Sequence, residues 1–403
     1  MAQRSGLAGS AALMFSGTLV SRVLGLLRNA LMVAAIGVTG SGAADAFSVA
    51  NKLPNIIYML LAGGILNAVL VPQVVRAMRH KDGGTEYVNR LLTLAGAVMA
   101  AVTIVLTVGA SVLISIYAAD FRSGPWAPLA VALAMWCLPQ LFFYGMYTLL
   151  GQVLNARSNF GPYMWAPALN NVISIAGLVA YLIVYGSYDI GAVPAEAWDA
   201  KRIALLAGPY TFGVAMQALI LIVPLYRSGF RYRPRWGLKG SGLGSAGRVA
   251  GWAFAALAAG QVGYLGISNL AAAAGTAAAR SGPGGSPDAS IAGNAAYDNA
   301  FFIFMLPQSL ITVSLVTALF TRLSEHAVSR NTTEVRNDLS RGLRTLSVFT
   351  VFAAVAFMAL AIPLIQVVQF DQATFTSYRA IGHVLVAMLI GLPAIGVWTM
   401  VQR

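Results

Sequence analysis

Ten long stretches of nearly uninterrupted apolar residues run along the chain, divided by short polar breaks. Their approximate limits are 7–36, 44–78, 87–118, 126–153, 162–186, 202–226, 248–273, 294–323, 342–369 and 378–401. A helix needs roughly 20 apolar residues to cross a bilayer. Every stretch meets that length, and the longer ones predict tilting, kinking or protrusion. The pattern therefore predicts ten membrane-spanning helices and an all-α polytopic membrane protein.

The polar breaks then give the orientation. Eighteen Lys and Arg fall in the breaks on one side, including Arg76, Arg79, Lys81 and the run Arg227, Arg231, Arg233, Arg235, Lys239. Five fall on the other side: Arg122, Lys201, Arg202, Arg280 and Arg379. Cytoplasmic loops carry the excess of basic residues, so the N-terminus is expected in the cytoplasm. The basic stretch "YRSGFRYRPRWGLKGSGLGS" lies between spans six and seven. It divides the chain into an expected lobe over 1–230, a linker over 231–247 and a second lobe over 248–403.

Composition agrees with the pattern. Hydrophobic residues make up 58% and charged residues 10%, where a soluble domain carries about 25% charge. The net charge of +13 reads as topology signal and headgroup affinity, and membrane lipids are expected partners. Nucleic acid is not, because the basic residues sit in short loops without a recognisable module. One cysteine, Cys137, precludes an intramolecular disulfide, and the three scattered histidines argue against a metal site. No phosphate loop, HExxH or GxSxG appears. No enzyme activity and no cofactor are expected.

A repeat stands out. "DAFSVANKLP" (Asp45–Pro54) and "DNAFFIFMLP" (Asp298–Pro307) each open on Asp and reach Leu-Pro nine residues later. They lie in spans two and eight, which run the same way. Chance in Phe/Leu-rich sequence is one explanation. Two parallel six-helix lobes, the second incomplete, is the other, and such repeats place a substrate path between them. Proline inside a helix frees a carbonyl and kinks the chain, which marks Pro54 and Pro307, with Gly63 and Gly64, as gating or kink positions. The two glycines also suit close helix packing.

Spans one and two carry charges where charges are costly. At 1.5 Å per residue from the turn near 37–42, Asp45 lies about 5 Å deep, Arg28 about 12 Å, Lys52 about 15 Å and Arg22 about 21 Å. Arg22 and Arg28 are six positions apart, about 240° around a helix. They do not share a stripe, and one is expected at the edge of a cavity beside Asp45. A fixed Arg28–Asp45 ion pair, with Arg22 and Lys52 bonding helix ends, is the structural alternative. Three cations against one carboxylate favour an anionic ligand, above all a phosphate, which arginine binds bidentately. In span five, Asn170, Asn171 and Ser174 read as interhelical bonding groups rather than a ligand site.

"SRVLGLLRNALMVAAIG", "ADAFSVANKLPNIIYMLLAGGILNAVLVPQ" and "GQVLNARSNFGPYMWAPALNNVISI" together resemble the MurJ/MviN-type lipid II flippases of the MOP exporter superfamily. The similarity covers essentially the whole chain, and the loop composition is most similar to actinobacterial members. The resemblance implies a two-lobe, V-shaped helical fold around a cationic cavity. It implies movement of lipid II, the undecaprenyl-pyrophosphate-linked peptidoglycan precursor, from the inner to the outer leaflet. Cell-wall synthesis proteins are implied as possible partners, and a coupling ion that the sequence does not identify. It also implies that Arg22, Arg28 and Asp45 are functional. The family has Arg at the positions of Tyr58 and, by count from Pro307, Phe302, so two cavity cations are expected to be missing. The family has fourteen spans, so a chain of ten is expected to be a portion of one. Another lipid-linked polysaccharide exporter of the superfamily, or a non-transporting cell-wall scaffold, stays open beside the flippase.

Overall fold

The structure is a computed structural model. It describes residues 2–61, 85–157, 159–189, 193–237, 243–281, 287–312, 332–370 and 372–401, with single positions between 315 and 326. All regular elements among them are helical. Among the described residues each of the ten apolar stretches contains a helix or a broken helix: α1 (Ala2–Ile36), α2 (Gly42–Leu61), α3 and α4 (Thr85–Val108, Ala110–Tyr117), α5 and α6 (Ala127–Cys137, Gln140–Ala156), α7 (Gly161–Tyr185), α8 and α9 (Ala200–Leu219, Ile222–Arg227), α10 (Leu243–Ser281), α11 (Asn294–Pro307), α12 and α13 (Thr332–Ala359, Ala361–Val368), α14 and α15 (Phe375–Leu389, Leu392–Val401). Seven of these, or eight counting the bent pair α14–α15, are long and apolar enough to cross a membrane. Gly63 and Gly64 lie outside the described residues.

The breaks inside spans have local causes. Gly109 separates α3 from α4, and Pro139 lies in the break between α5 and α6. Glycine is a weak helix former and proline cannot donate to the ladder. Span ten bends by 44° between α14 and α15. Starts are capped where the sequence supplies a cap. Asp199 accepts from the Arg202 N–H at the start of α8, and Thr374 from the Ser377 N–H at the start of α14.

Helices of the first six spans approach closely through small residues. Gly177 of α7 faces Pro209 of α8, and Gly213 of α8 faces Asn170 of α7; a side chain at either glycine would overlap its neighbour. The span-five polar residues are spent here. Asn170 donates to Gln217 (3.1 Å) and Asn171 to the Ser21 carbonyl (2.8 Å) as interhelical bonds, while Ser174 donates to Asn170 (3.3 Å) within α7.

The core has a forked distribution. At the end of the bundle that holds the α1–α2 turn, one buried cluster joins residues from both sets of spans, among them Ile36, Leu53, Leu133, Ile303, Tyr378 and Leu385. At the opposite end, beside the linker, the core separates. One cluster (Val88, Leu154, Leu221, Phe230) belongs to the first six spans, and another (Val316, Leu346, Met400) to the later ones. Among the described residues, the buried core thus joins the two sets of spans at the turn end and is divided between them at the linker end.

Candidate functional site

The repeated segments meet. α2 packs against α11, and the residues that join them follow helical spacing. Asp45, Ser48, Lys52, Asn55 and Met59 succeed one another at intervals of three and four, which lines them along one face of α2.

Asp45 sits at the top of that face, 3% exposed. Its Oδ1 accepts from the backbone N–H of Ala295 at 2.8 Å. α11 begins at Asn294 after Gly293, which offers no side-chain cap, so the cap comes from another span. The carboxylate lies against Gly275 of α10 and against Gly293, where any Cβ would collide with it. A negative charge at a helix N-terminus is favourable. The expected proximity of Arg28 and Asp45 does not arise: among the described residues they make no ion pair, because the carboxylate is turned to α11.

One turn on, Asp298 of α11 accepts from both Ser48 and Lys52. The Lys52–Asp298 ion pair is half-buried. Three rings surround the ammonium, with Nζ 4.6 Å from the Tyr264 centroid, 5.2 Å from Tyr297 and 5.7 Å from Phe301. Lys52 is therefore not a free cation, and the charge balance has two carboxylates rather than one. Sequence reasoning saw Asp298 only as a mark of the repeat. Its register with Asp45, on a helix running the same way, was the signal that it belongs to the site.

The arginines differ in setting, as their spacing requires. Arg28 is half-buried among the first six spans, its guanidinium 5.3 Å from the Tyr210 centroid. Arg22 is exposed, and its Nη1 reaches Ser309 at 3.2 Å. Neither has a carboxylate within ion-pair distance among the described residues. Next to Arg28, Asn29 donates to Asn299 at 2.7 Å. At the turn itself, Thr39 donates to Ser377 at 2.7 Å in a buried contact.

Pro54 is buried within a continuous α2. Pro307 ends α11, and the chain goes on as a π-helical turn over Gln308–Thr312. A proline ring clashes with the carbonyl four residues back and supplies no N–H, and the extra residue of a π turn accommodates this. Ser309 in that turn bonds back to the Leu306 carbonyl (3.1 Å) while it receives Arg22.

The expected cationic positions that the sequence lacks are filled by packing. Tyr58 bonds Thr148 of α6 and lies 5.8 Å from the Tyr144 ring. Phe302 packs against the large core, while Phe301 is the ring that meets Lys52.

Below the polar latch the two faces part. Asn55 and Met59, further along the same face of α2, are exposed, and the core is divided there. Among the described residues this leaves a wedge in the core between the two sets of spans, closed at the turn end, with the Arg22–Ser309 and Lys52–Asp298 contacts where the single core gives way to two.

The family model described as "Lipid II flippase MurJ" matches residues 32–403. The chain belongs to the MurJ family. Among MurJ relatives it is similar to the "Probable lipid II flippase MurJ" of Haemophilus influenzae, with 24% identity over 364 residues, covering 86% of this chain and 65% of that protein. It spans 65% and 42% of the length of the Haemophilus influenzae and Vibrio cholerae relatives it matches. Among solved structures, "Lipid II flippase MurJ, inward closed conformation" aligns with a TM-score of 0.71 at 18% identity, over 97% of this chain and 74% of that one. "Inward-facing conformation of a multidrug resistance MATE family transporter of the MOP superfamily" aligns at 0.68 and 15% identity, over 97% and 84%. The fold is thus that of the MOP superfamily, as the resemblance implied.

Proposed function

We propose that this protein moves lipid II from the inner to the outer leaflet by alternating access, with the turn end facing outward and the N-terminus in the cytoplasm. Residues 1–230 and 248–403 act as two lobes joined by the 231–247 linker. The forked core carries this reading. Among the described residues one core joins the sets of spans at the turn end and two separate cores lie at the linker end, which suits a cavity open to the cytoplasmic leaflet.

Arg22 and Arg28 are the ligands for the pyrophosphate. Both lack a carboxylate partner among the described residues, and a guanidinium fork matches phosphate oxygens. Asp45, Lys52 and Asp298 hold the outer gate, and Lys52 exchanges Asp298 for the anionic substrate as the gate opens. Pro54 and Pro307, with Gly63 and Gly64, supply the bending positions. Membrane lipids surround the protein and cell-wall synthesis proteins receive its product.

The test is lipid II access at the surface of cells depleted of their own flippase and supplied with this protein. Restored surface lipid II that is lost in Arg22→Ala and Arg28→Ala supports the reading. A well-expressed protein that restores none defeats it. With Tyr58 and Phe302 in place of cations, export of another lipid-linked glycan is the second reading, and the same cells report it by glycan analysis.

A further inference from the structure

At the turn end, the connection between α7 and α8 roofs a cavity of about 380 Å³, which the reading above leaves unused. It lies over the turn that closes the bundle. The Tyr188 N–H donates to the Ala34 carbonyl (2.7 Å) and its hydroxyl to the Gly40 carbonyl (3.1 Å). The Tyr188 ring covers Gly37 and the Trp126 indole covers Gly42, so both glycines leave room for rings. Gly37 also has a φ of +78°, which a side chain would strain. Thr276 of α10 and Pro287 complete the wall, so both sets of spans build it.

Arg202 is the one cation among the lining residues. Its guanidinium carbon lies 4.7 Å from the Tyr185 centroid and 4.9 Å from that of Trp198. Its Nε donates to the Tyr181 hydroxyl at 2.8 Å. Among the described residues no carboxylate pairs with it, so its outer donor pair is unspent. Asp189 and Glu196 stand exposed in the same lining. The Trp198 indole N–H is buried without an acceptor, an unmet donor in a position where most find one.

The volume falls within the roughly 300–1,000 Å³ of small-molecule sites. The lining sets flat aromatic faces beside acceptor carboxylates and one bidentate donor. A hydrocarbon chain would leave the charged groups unmatched. A bare phosphate would use Arg202, ignore the rings and meet two negative charges. A pyranose uses all three kinds of group: ring faces for its C–H face, carboxylates for its hydroxyls, the guanidinium for an acyl or carboxylate oxygen. We propose that this cavity is a saccharide-binding site for an amino sugar or its disaccharide. The proposal rests on the flippase reading only for the source of that sugar, the headgroup delivered to the outer surface. Because the closed turn end builds the cavity, a sugar bound there favours the closed state through its differential affinity.

Saturation-transfer NMR tests this on the full protein in nanodiscs, with free N-acetylglucosaminyl-N-acetylmuramic acid as the probe. The expected result is transfer to the sugar ring protons, reduced at least fivefold by Trp198→Ala and by Arg202→Gln, and unchanged by Arg231→Gln at the linker end. Glu196→Gln, at an exposed position, leaves folding intact and is expected to reduce transfer about threefold. No transfer to the unaltered protein, or transfer that survives all three cavity variants, overturns the proposal. So does transfer that disappears when anionic lipid is added to the nanodisc, since the cavity would then belong to lipid headgroups. Sugar binding without surface lipid II in cells defeats the flippase reading alone. Surface lipid II without sugar binding defeats this proposal alone.

Discussion

Asp298 on span eight takes the ammonium of Lys52 on span two, and Ser48 bonds the same carboxylate. The pair is half-buried and ringed by Tyr264, Tyr297 and Phe301. Breaking such a pair leaves one charge without its partner, at a cost between an exposed pair and a buried one, about 1–3 kcal/mol. Asp298→Asn is expected to loosen the turn end. A Thr39→Cys/Ser377→Cys disulfide, formed readily in the parent, reports this as a severalfold slower cross-link. Exchanging the charges, Lys52→Asp with Asp298→Lys, is expected to restore part of the rate. Unaltered cross-linking in Asp298→Asn would remove the latch from the account.

Asp45 gives α11 the N-terminal cap that its own sequence lacks. Asp45→Ala is expected to cost about 0.5–2 kcal/mol, the range for losing a cap, seen as a lower Tm in detergent. Asp45→Asn keeps an acceptor and is expected to fall between. Gly293→Ala, which pushes a methyl against the carboxylate, is expected to match or exceed Asp45→Ala. A tolerated Gly293→Ala would show that the contact is loose.

The two arginines are expected to separate by substitution. Arg22 is exposed at the apex of the wedge and Arg28 lies on Tyr210. Arg22→Lys retains charge but not the planar fork, so surface lipid II is expected to drop about tenfold with unchanged Tm. Arg28→Lys also loses its stacking and is expected to lower Tm as well. Equal behaviour of the two in both measurements would contradict their different settings.

Introducing at position 58 the cation that the family resemblance implies is expected to fail. Tyr58 bonds Thr148 and packs in the linker-end core of the first six spans. Tyr58→Arg breaks that bond and is expected to lower Tm without raising lipid II at the surface. A gain in transport with full stability would show that the site accepts an arginine facing the wedge.

The sequence reveals the spans well because each is a long apolar run. Its limits for span five, 162–186, and the helix Gly161–Tyr185 agree to a residue. The same run conceals breaks such as Gly109 and the 44° bend of span ten, since neither interrupts hydropathy. At the site, the order of the polar residues along a helix was legible and the partner was not. Arg22 and Arg28 point to different surroundings, as six positions require. Asp45 was assigned to a nearby cation because 1.5 Å steps locate residues only within their own hairpin. Its real partner, the Ala295 N–H, is 250 residues away. Asp298 was readable from the repeat, yet nothing local says that a repeat's two copies touch.

The cap that Asp45 supplies also bears on biogenesis. α11 leaves the insertion machinery with its first N–H groups unanswered by its own chain, long after span two has entered the bilayer. Its polar end stays in need of water or headgroups until it docks beside α2. Docking therefore finishes a helix as well as an interface, and quality control that senses exposed polar backbone in the membrane would read an undocked eighth span as immature.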